Sequence, residues 1–281
     1  MRKYGGIPVE FLRSLFRALD ASMEVPTLFG WFHIMWLVLS IGGAVALSLW
    51  HRKHPADRQR KVLLVTTLIV IALEIYKQLN FSVLYEEGLS WSYAWYIFPL
   101  QFCSTPMYVG LLAALTKKGR IHESACAYMA TFSLFAGTAV MIYPGDVFIE
   151  TIGINIQTMV CHGSMIFLAI YLMATGYVKL GIKTVLKALP IFAFFLLLAM
   201  GLNEWAFQTG LLESHNFNMF YISPYQPGHL PIYGDIQNVV PYPWSLFIYI
   251  IGFAAAAYVM QLLAILVRLI ARKTSKKPVA A

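Results

Sequence analysis

Seven apolar stretches, each about the length a helix needs to cross a ~30 Å hydrocarbon core, limit what this chain can fold into. They run over residues 29–50, 62–84, 97–116, 124–143, 154–175, 188–207 and 244–270. Inside a bilayer only helices and closed barrels satisfy every backbone N–H and C=O. Uninterrupted apolar runs without period-two alternation are the helical solution. Hydrophobic residues are 59% of the chain and charged residues 12%, about half the ~25% of an ordinary soluble domain. The reading is an all-α polytopic membrane protein, a seven-transmembrane-helix bundle. One integral membrane domain occupies residues 1–281, with an interfacial segment at 1–28, the bundle at 29–270 and a basic tail at 271–281.

The net charge of +8 does not suit a nucleic-acid partner, because its distribution follows the membrane. Arg52, Lys53, Arg58, Arg60 and Lys61 follow the first span, and Lys117, Lys118 and Arg120 the third. Lys179, Lys183 and Lys187 follow the fifth; Arg268, Arg272, Lys273, Lys276 and Lys277 close the chain. The connections after spans two, four and six carry no Lys or Arg, but hold Glu86, Glu87, Asp146, Glu150, Glu213 and Asp235. Basic residues stay on the cytoplasmic side, so the N-terminus is expected outside and the C-terminus in the cytoplasm. The tail suits anionic headgroups. In the first 28 residues Phe11, Leu12, Leu15, Phe16 and Leu19 recur at helical spacing, which predicts an interfacial amphipathic helix. No removable signal peptide is evident there.

Cys103, Cys126 and Cys161 all fall within spans, which argues against a disulfide framework. The polar residues inside the spans carry the functional argument, since such groups need partners or a purpose. Phe98-Pro99-Leu100-Gln101-Phe102-Cys103-Ser104-Thr105-Pro106 places a thiol, an amide and two prolines at the head of span three. A helix beginning near Pro99 puts Cys103 within about a turn of a positive helix end, which favours thiolate. Pro106 removes the bond to the Phe102 carbonyl. In span five Asn155, Thr158 and His162 share one face; in span two Glu74, Lys77 and Gln78 do. Glu74 and Lys77 are either a packing brace or part of a site. His33 is either an interfacial histidine with one hydrogen bond or a substrate contact. Cys126 reads as packing.

At 1.5 Å per residue, Cys103 and His162 both lie about 10 Å below the outer surface. Glu74, Lys77 and Glu204 fall near the same layer. Cys161, beside His162 in sequence, points about 100° away on the helix, so Cys103 is the better partner for the imidazole.

Several motifs resemble the YwaF-like integral membrane proteins of bacteria. They are Trp31-Phe32-His33, Glu74-Ile75-Tyr76-Lys77-Gln78, Pro99-Leu100-Gln101-Phe102-Cys103, Cys161-His162-Gly163 and Asn216-Phe217-Asn218-Met219-Phe220. The likeness extends from the first span to the last, and related proteins include a eukaryotic seven-span acyltransferase of ether phospholipids. That family often has a histidine where this chain has Gln101. The resemblance implies a multi-pass protein of a bacterial plasma (cytoplasmic) membrane, with Cys103 as nucleophile and His162 as base. It also implies a phospholipid acyl donor and a lysolipid acceptor, with no cofactor and no metal.

The expected reaction is acyl transfer through an S-acyl cysteine. Gln101, Asn155, Asn218 or Tyr221 are candidate oxyanion donors, and Glu204 or Asn155 candidates to orient the imidazole. His33, Asn216, Asn218 and Tyr221 are candidate substrate contacts, in or near a 208–243 connection long enough to form a lid. Three rival readings remain, the plainest being a bundle whose polar layer merely fixes packing. Another is a zinc-dependent lipid hydrolase using His33, His162, His215 and Glu204, though the chain lacks short metal-ligand spacings. The third is a transporter or receptor binding a zwitterion at Glu74 and Lys77.

Overall fold

The computed structural model describes residues 9–54, 58–84, 89–145, 147–211, 216–226, 228 and 230–275. Its helices are α1 (Val9–Leu19), α2 (Trp31–Lys53), α3 (Gln59–Ser82), α4 (Thr105–Leu115) and α5 (Arg120–Met129). They continue with α6 (Phe132–Ile142), α7 (Ile152–Ala174), α8 (Ile182–Gln208), α9 (Tyr233–Val239) and α10 (Trp244–Ser275). A two-stranded antiparallel ladder pairs Val83–Leu84 with Ser90–Trp91 at the α3 end. Among the described residues, six segments are by length and apolarity able to cross a membrane: α2, α3, α5 with α6, α7, α8 and α10. The third apolar run forms only a shorter apolar helix, Phe102–Leu115.

Helix α7 holds the bundle together, packing against α2, α3 and α6, while α5 packs on α4 and α8. Large apolar side chains such as Val38, Leu197, Phe194 and Val267 stay exposed on the perimeter. Hydrocarbon, not water, is the solvent that suits such a surface. Close helix approach relies on missing side chains. A Cβ placed on Gly137 of α6 would lie 2.6 Å from the His162 carbonyl oxygen and 2.7 Å from Met165 Cβ on α7.

Two expectations about helix continuity need correction. The helix of span three does not begin near Pro99; residues 95–97 and 102–104 are separate 3₁₀ turns, and α4 starts at Thr105 with Pro106 in its first turn. Proline bars a donor there, and only later positions propagate an α-helix. Span four is also broken. Ala130 and Thr131 interrupt it, with Thr131 at φ −128° and ψ −85°. The carbonyl freed at Ala130 accepts the Gln261 Nε2 amide from α10 at 2.8 Å, and Gln261 Oε1 accepts the Gly181 N–H. A fully buried glutamine thus satisfies a helix break, as hydrocarbon requires.

Within the 1–28 segment, residues 9–19 are helical. Helix α1 leaves Val9, Phe11 and Leu15 exposed. The C-terminal end of α1 and the residues just beyond it are tied to the end of the bundle opposite the basic connections. Tyr76 donates its hydroxyl to the Leu19 carbonyl, and the Met23 N–H bonds to the Glu150 carbonyl.

Gly137→Val is expected to cost about 1–3 kcal/mol by overpacking the α6–α7 contact, read as a lower thermal-unfolding midpoint in detergent. Gly252→Ala, with nothing within 4 Å of the added carbon, should not lower it.

Candidate functional site

The non-helical stretch that carries Cys103 lies inside the bundle, and side chains satisfy its backbone one group at a time. Gln78 Nε2 donates to the Ile97 carbonyl, Tyr108 Oη to Pro99, and Thr105 Oγ1 to Phe102, whose carbonyl also accepts the Thr105 N–H. The Tyr128 hydroxyl in turn bonds to Thr105 Oγ1. This scaffold holds Cys103 in a 3₁₀ turn just ahead of α4, partly exposed. It remains close to the N-terminal end of that helix, but outside its first turn.

Behind Cys103 lies a small cavity of about 10 Å³, bordered also by Thr67, Pro106, Cys161, Ser164 and Met165. That volume is at most one water. Cys103 and Cys161 therefore share one apolar cluster. His162 is one residue on and buried, with a ring that does not border the cavity. No hydrogen bond links it to the Cys103 thiol among the described residues.

The state of the His162 ring follows from its partners. Nδ1 lies 2.8 Å from the Thr158 carbonyl oxygen. A carbonyl can only accept, so Nδ1 carries the hydrogen and Nε2 keeps a lone pair. Nε2 is buried and has no partner. The imidazole is held by its own helix backbone; Asn155 and Glu204 do not orient it. Asn155 Oδ1 accepts the Ile149 N–H and its Nδ2 donates to the Ile149 carbonyl, which fixes the turn into α7. Glu204 is exposed near the end of α8, where it accepts from Gln208 and from the Tyr225 hydroxyl. That carboxylate holds the Tyr225 phenol above its usual range.

Glu74 and Lys77 form the ion pair that the sequence suggested, at 2.8 Å. Glu74 is 6% exposed and also accepts Gln78 Nε2 and, from α7, Gln157 Nε2 at 3.2 Å. Tyr93 closes the network by donating to Gln78 Oε1 at 2.9 Å; burial raises the Tyr93 phenol above its ordinary range, and the Glu74 charge adds to that. The Lys77 ammonium acts electrostatically on Cys103, Cys161 and His162 alike. This cation is half-buried, its side chain 18% exposed. Gln157 was missed from sequence, although its position one turn before Cys161 placed it on the facing surface of α7.

His33 has no nitrogen left for a substrate. Its Nδ1 accepts the Phe29 N–H at 3.0 Å and its Nε2 donates to the Met141 carbonyl at 2.8 Å. The ring is fully buried and bridges α2 to α6. Gln101 is similarly engaged: Nε2 donates to the Asn218 carbonyl and Oε1 accepts the Phe220 N–H, both at 2.9 Å. Asn203, another residue missed from sequence, grips Met219 by both its N–H and its carbonyl. Asn218 Nδ2 donates to Gln226 and its Oδ1 accepts from Ser223. Asn216 lies at the exposed edge with its Oδ1 bonded to Gln226.

The 216–226 connection is therefore a plug rather than a loose lid. Phe217, Met219 and Phe220 are fully buried. Phe220 meets Phe102 edge-on at 5.6 Å, one residue from Cys103, and Phe217 packs against Trp95, Phe98 and Trp205. Asn216, Phe220 and Tyr221 adopt positive φ of 53°, 58° and 56°. Such backbone is costly for residues other than glycine and persists only where surroundings hold it.

No three His, Cys, Asp or Glu side chains come together as metal ligands among the described residues. Of the residues in the zinc reading, His215 lies outside the described residues. The TMEM164 family model matches residues 28–266. No curated protein and no solved structure matches the chain.

Gln101→Leu removes both bonds to the plug and leaves the Phe220 N–H unpaired, while the Asn218 carbonyl keeps the Tyr221 N–H, a loss of about 1–3 kcal/mol locally. Amide hydrogen exchange across residues 216–226 is expected to accelerate while α7 keeps its protection.

Proposed function

The chain belongs to the TMEM164 family, and from the geometry of its polar layer we propose that it is a lipid acyltransferase acting through Cys103 and His162. The observation that carries this reading is the buried, unpartnered Nε2 of His162, held as a proton acceptor by the bond from Nδ1 to Thr158. A neutral imidazole with a bare nitrogen in a low-dielectric layer is a general base without a substrate. Cys103 is the partly exposed one of the two thiols sharing the cavity, since Cys161 is buried.

In the proposed reaction the Cys103 thiol proton passes to His162 Nε2 as the sulfur attacks the ester carbonyl of a phospholipid. The tetrahedral intermediate collapses, the C–O ester bond breaks, and the leaving lysolipid oxygen takes the proton from His162. An S-acyl cysteine remains. The hydroxyl of an acceptor lysolipid then gives its proton to His162 and attacks the thioester. The thiolate leaves and is reprotonated, so donor and acceptor exchange one acyl chain without any redox change. Lys77 supplies positive charge for thiolate and oxyanion; Glu74, held by Gln157 and Gln78, fixes that ammonium in place. Gln101 and Asn218 act indirectly, by holding the plug over residue 102. The motif resemblance to YwaF-like proteins supports the same pair of roles, with a bacterial plasma membrane as the setting.

A cavity of about 10 Å³ does not accept an ester and His162 does not yet bond to the thiol, so turnover in this reading requires the contact between Phe102 and Phe220 to open and the two side chains to come within reach. The purified protein in vesicles containing a phospholipid donor and a lysophospholipid is expected to move acyl chains, with mass spectrometry detecting S-acylated Cys103. His162→Asn should lower the rate by about 10²–10⁴. Full transfer activity in both Cys103→Ser and Cys103→Ala would rule out the nucleophile assignment.

A further inference from the structure

At the opposite end of the bundle, where the basic connections gather, lies a cavity of about 540 Å³. We propose that it binds a phosphate ester group, a site separate from the Cys103 layer and independent of the acyl-transfer reading.

Two helix starts converge on it. Helix α5 begins at Arg120 behind Gly119 and α8 at Ile182 behind Gly181, and neither has a side-chain cap. Their first turns border the cavity through His122, Glu123, Lys183 and Thr184. Uncapped first-turn N–H groups together with the helix dipole favour an anion. Lys118, Lys179, Lys183 and Lys187 also border it. Glu123, the carboxylate on this border, is already paired with Lys187. The balance of charge facing the space is positive.

His122 supplies an independent indication. It is 4% exposed and borders the cavity. Its Nε2 faces the Tyr177 hydroxyl at 2.8 Å and the Cys126 sulfur at 3.6 Å. Each of those groups can donate or accept, and where Nε2 accepts from the Tyr177 hydroxyl the ring proton lies on Nδ1. Nδ1 is buried with no partner, and in that tautomer it is a donor without an acceptor beside a cationic cavity. A phosphate oxygen matches that requirement, and the apolar wall of Ala127 and Val178 suits the esterified portion. A volume of this size falls within the usual range for small-ligand sites.

The ester has two possible sources, a lipid headgroup or a soluble organophosphate, and one experiment separates them. The melting temperature of the full chain is measured in detergent with glycerol 3-phosphate. It is measured again in nanodiscs of phosphatidylcholine with and without phosphatidylglycerol. A rise with glycerol 3-phosphate identifies a soluble ligand; a rise only with phosphatidylglycerol identifies the headgroup. The double variant Lys179→Gln with Lys183→Gln changes two exposed side chains and is expected to weaken binding about 30-fold. Its melting temperature without ligand reports that it is folded. A control pair, Arg272→Gln with Lys273→Gln, makes the same charge change outside the cavity and should retain the response. No response to either probe overturns the proposal. So does a response that survives in the lysine variant, or one that falls equally in the control.

Discussion

Hydrocarbon offers no water to an open backbone, and the bundle is arranged around meeting that constraint at the few places where its helices stop short. The 95–104 stretch is the chief example. Its carbonyls at Ile97 and Pro99 are each capped by a side chain, from Gln78 and Tyr108, and that of Phe102 accepts both the N–H and the hydroxyl of Thr105. Each cap comes from within the protein, which is the condition for irregular backbone at membrane depth. Losing one leaves a polar group unsatisfied where desolvation is most expensive. Cys103 sits in the middle of that supported irregularity, so the same bonds that permit the break also position the thiol.

The supports are connected. Gln78 caps Ile97 and also bonds to Glu74, which holds Lys77 and Gln157. Gln101, within the broken stretch, grips the 216–226 plug from the other side. A buried network of this kind is stable only when fully satisfied. The unpartnered Nε2 of His162 stands out against it. Nearly every other polar atom of the layer has a role in holding the structure, whereas this nitrogen has none.

The two ends of the molecule differ in kind. One end is closed by aromatic packing of Phe102, Phe217 and Phe220, with its charges paired inside the bundle. The other keeps an open cavity bordered by exposed lysines and two uncapped helix starts. Burying the Glu74–Lys77 pair requires close partners because the medium does not solvate it. The lysines at the basic end remain in contact with solvent or headgroups and need no such pairing.

The spans and the segregation of basic residues to alternate connections were legible in the residues themselves, because apolarity and charge accumulate locally along a chain. So was the Glu74–Lys77 pair, whose partners lie three residues apart on one helix. Tertiary structure alone decided where α4 begins, that span four breaks at Ala130, and that Gln101, Asn155 and His33 are held by backbone. The tautomer of His162, by contrast, is set within α7 by the Thr158 carbonyl four residues earlier. Gln101 reaches Asn218 across 117 positions. No local pattern specifies such a bond, since its partner is chosen by which helices pack together and at what depth.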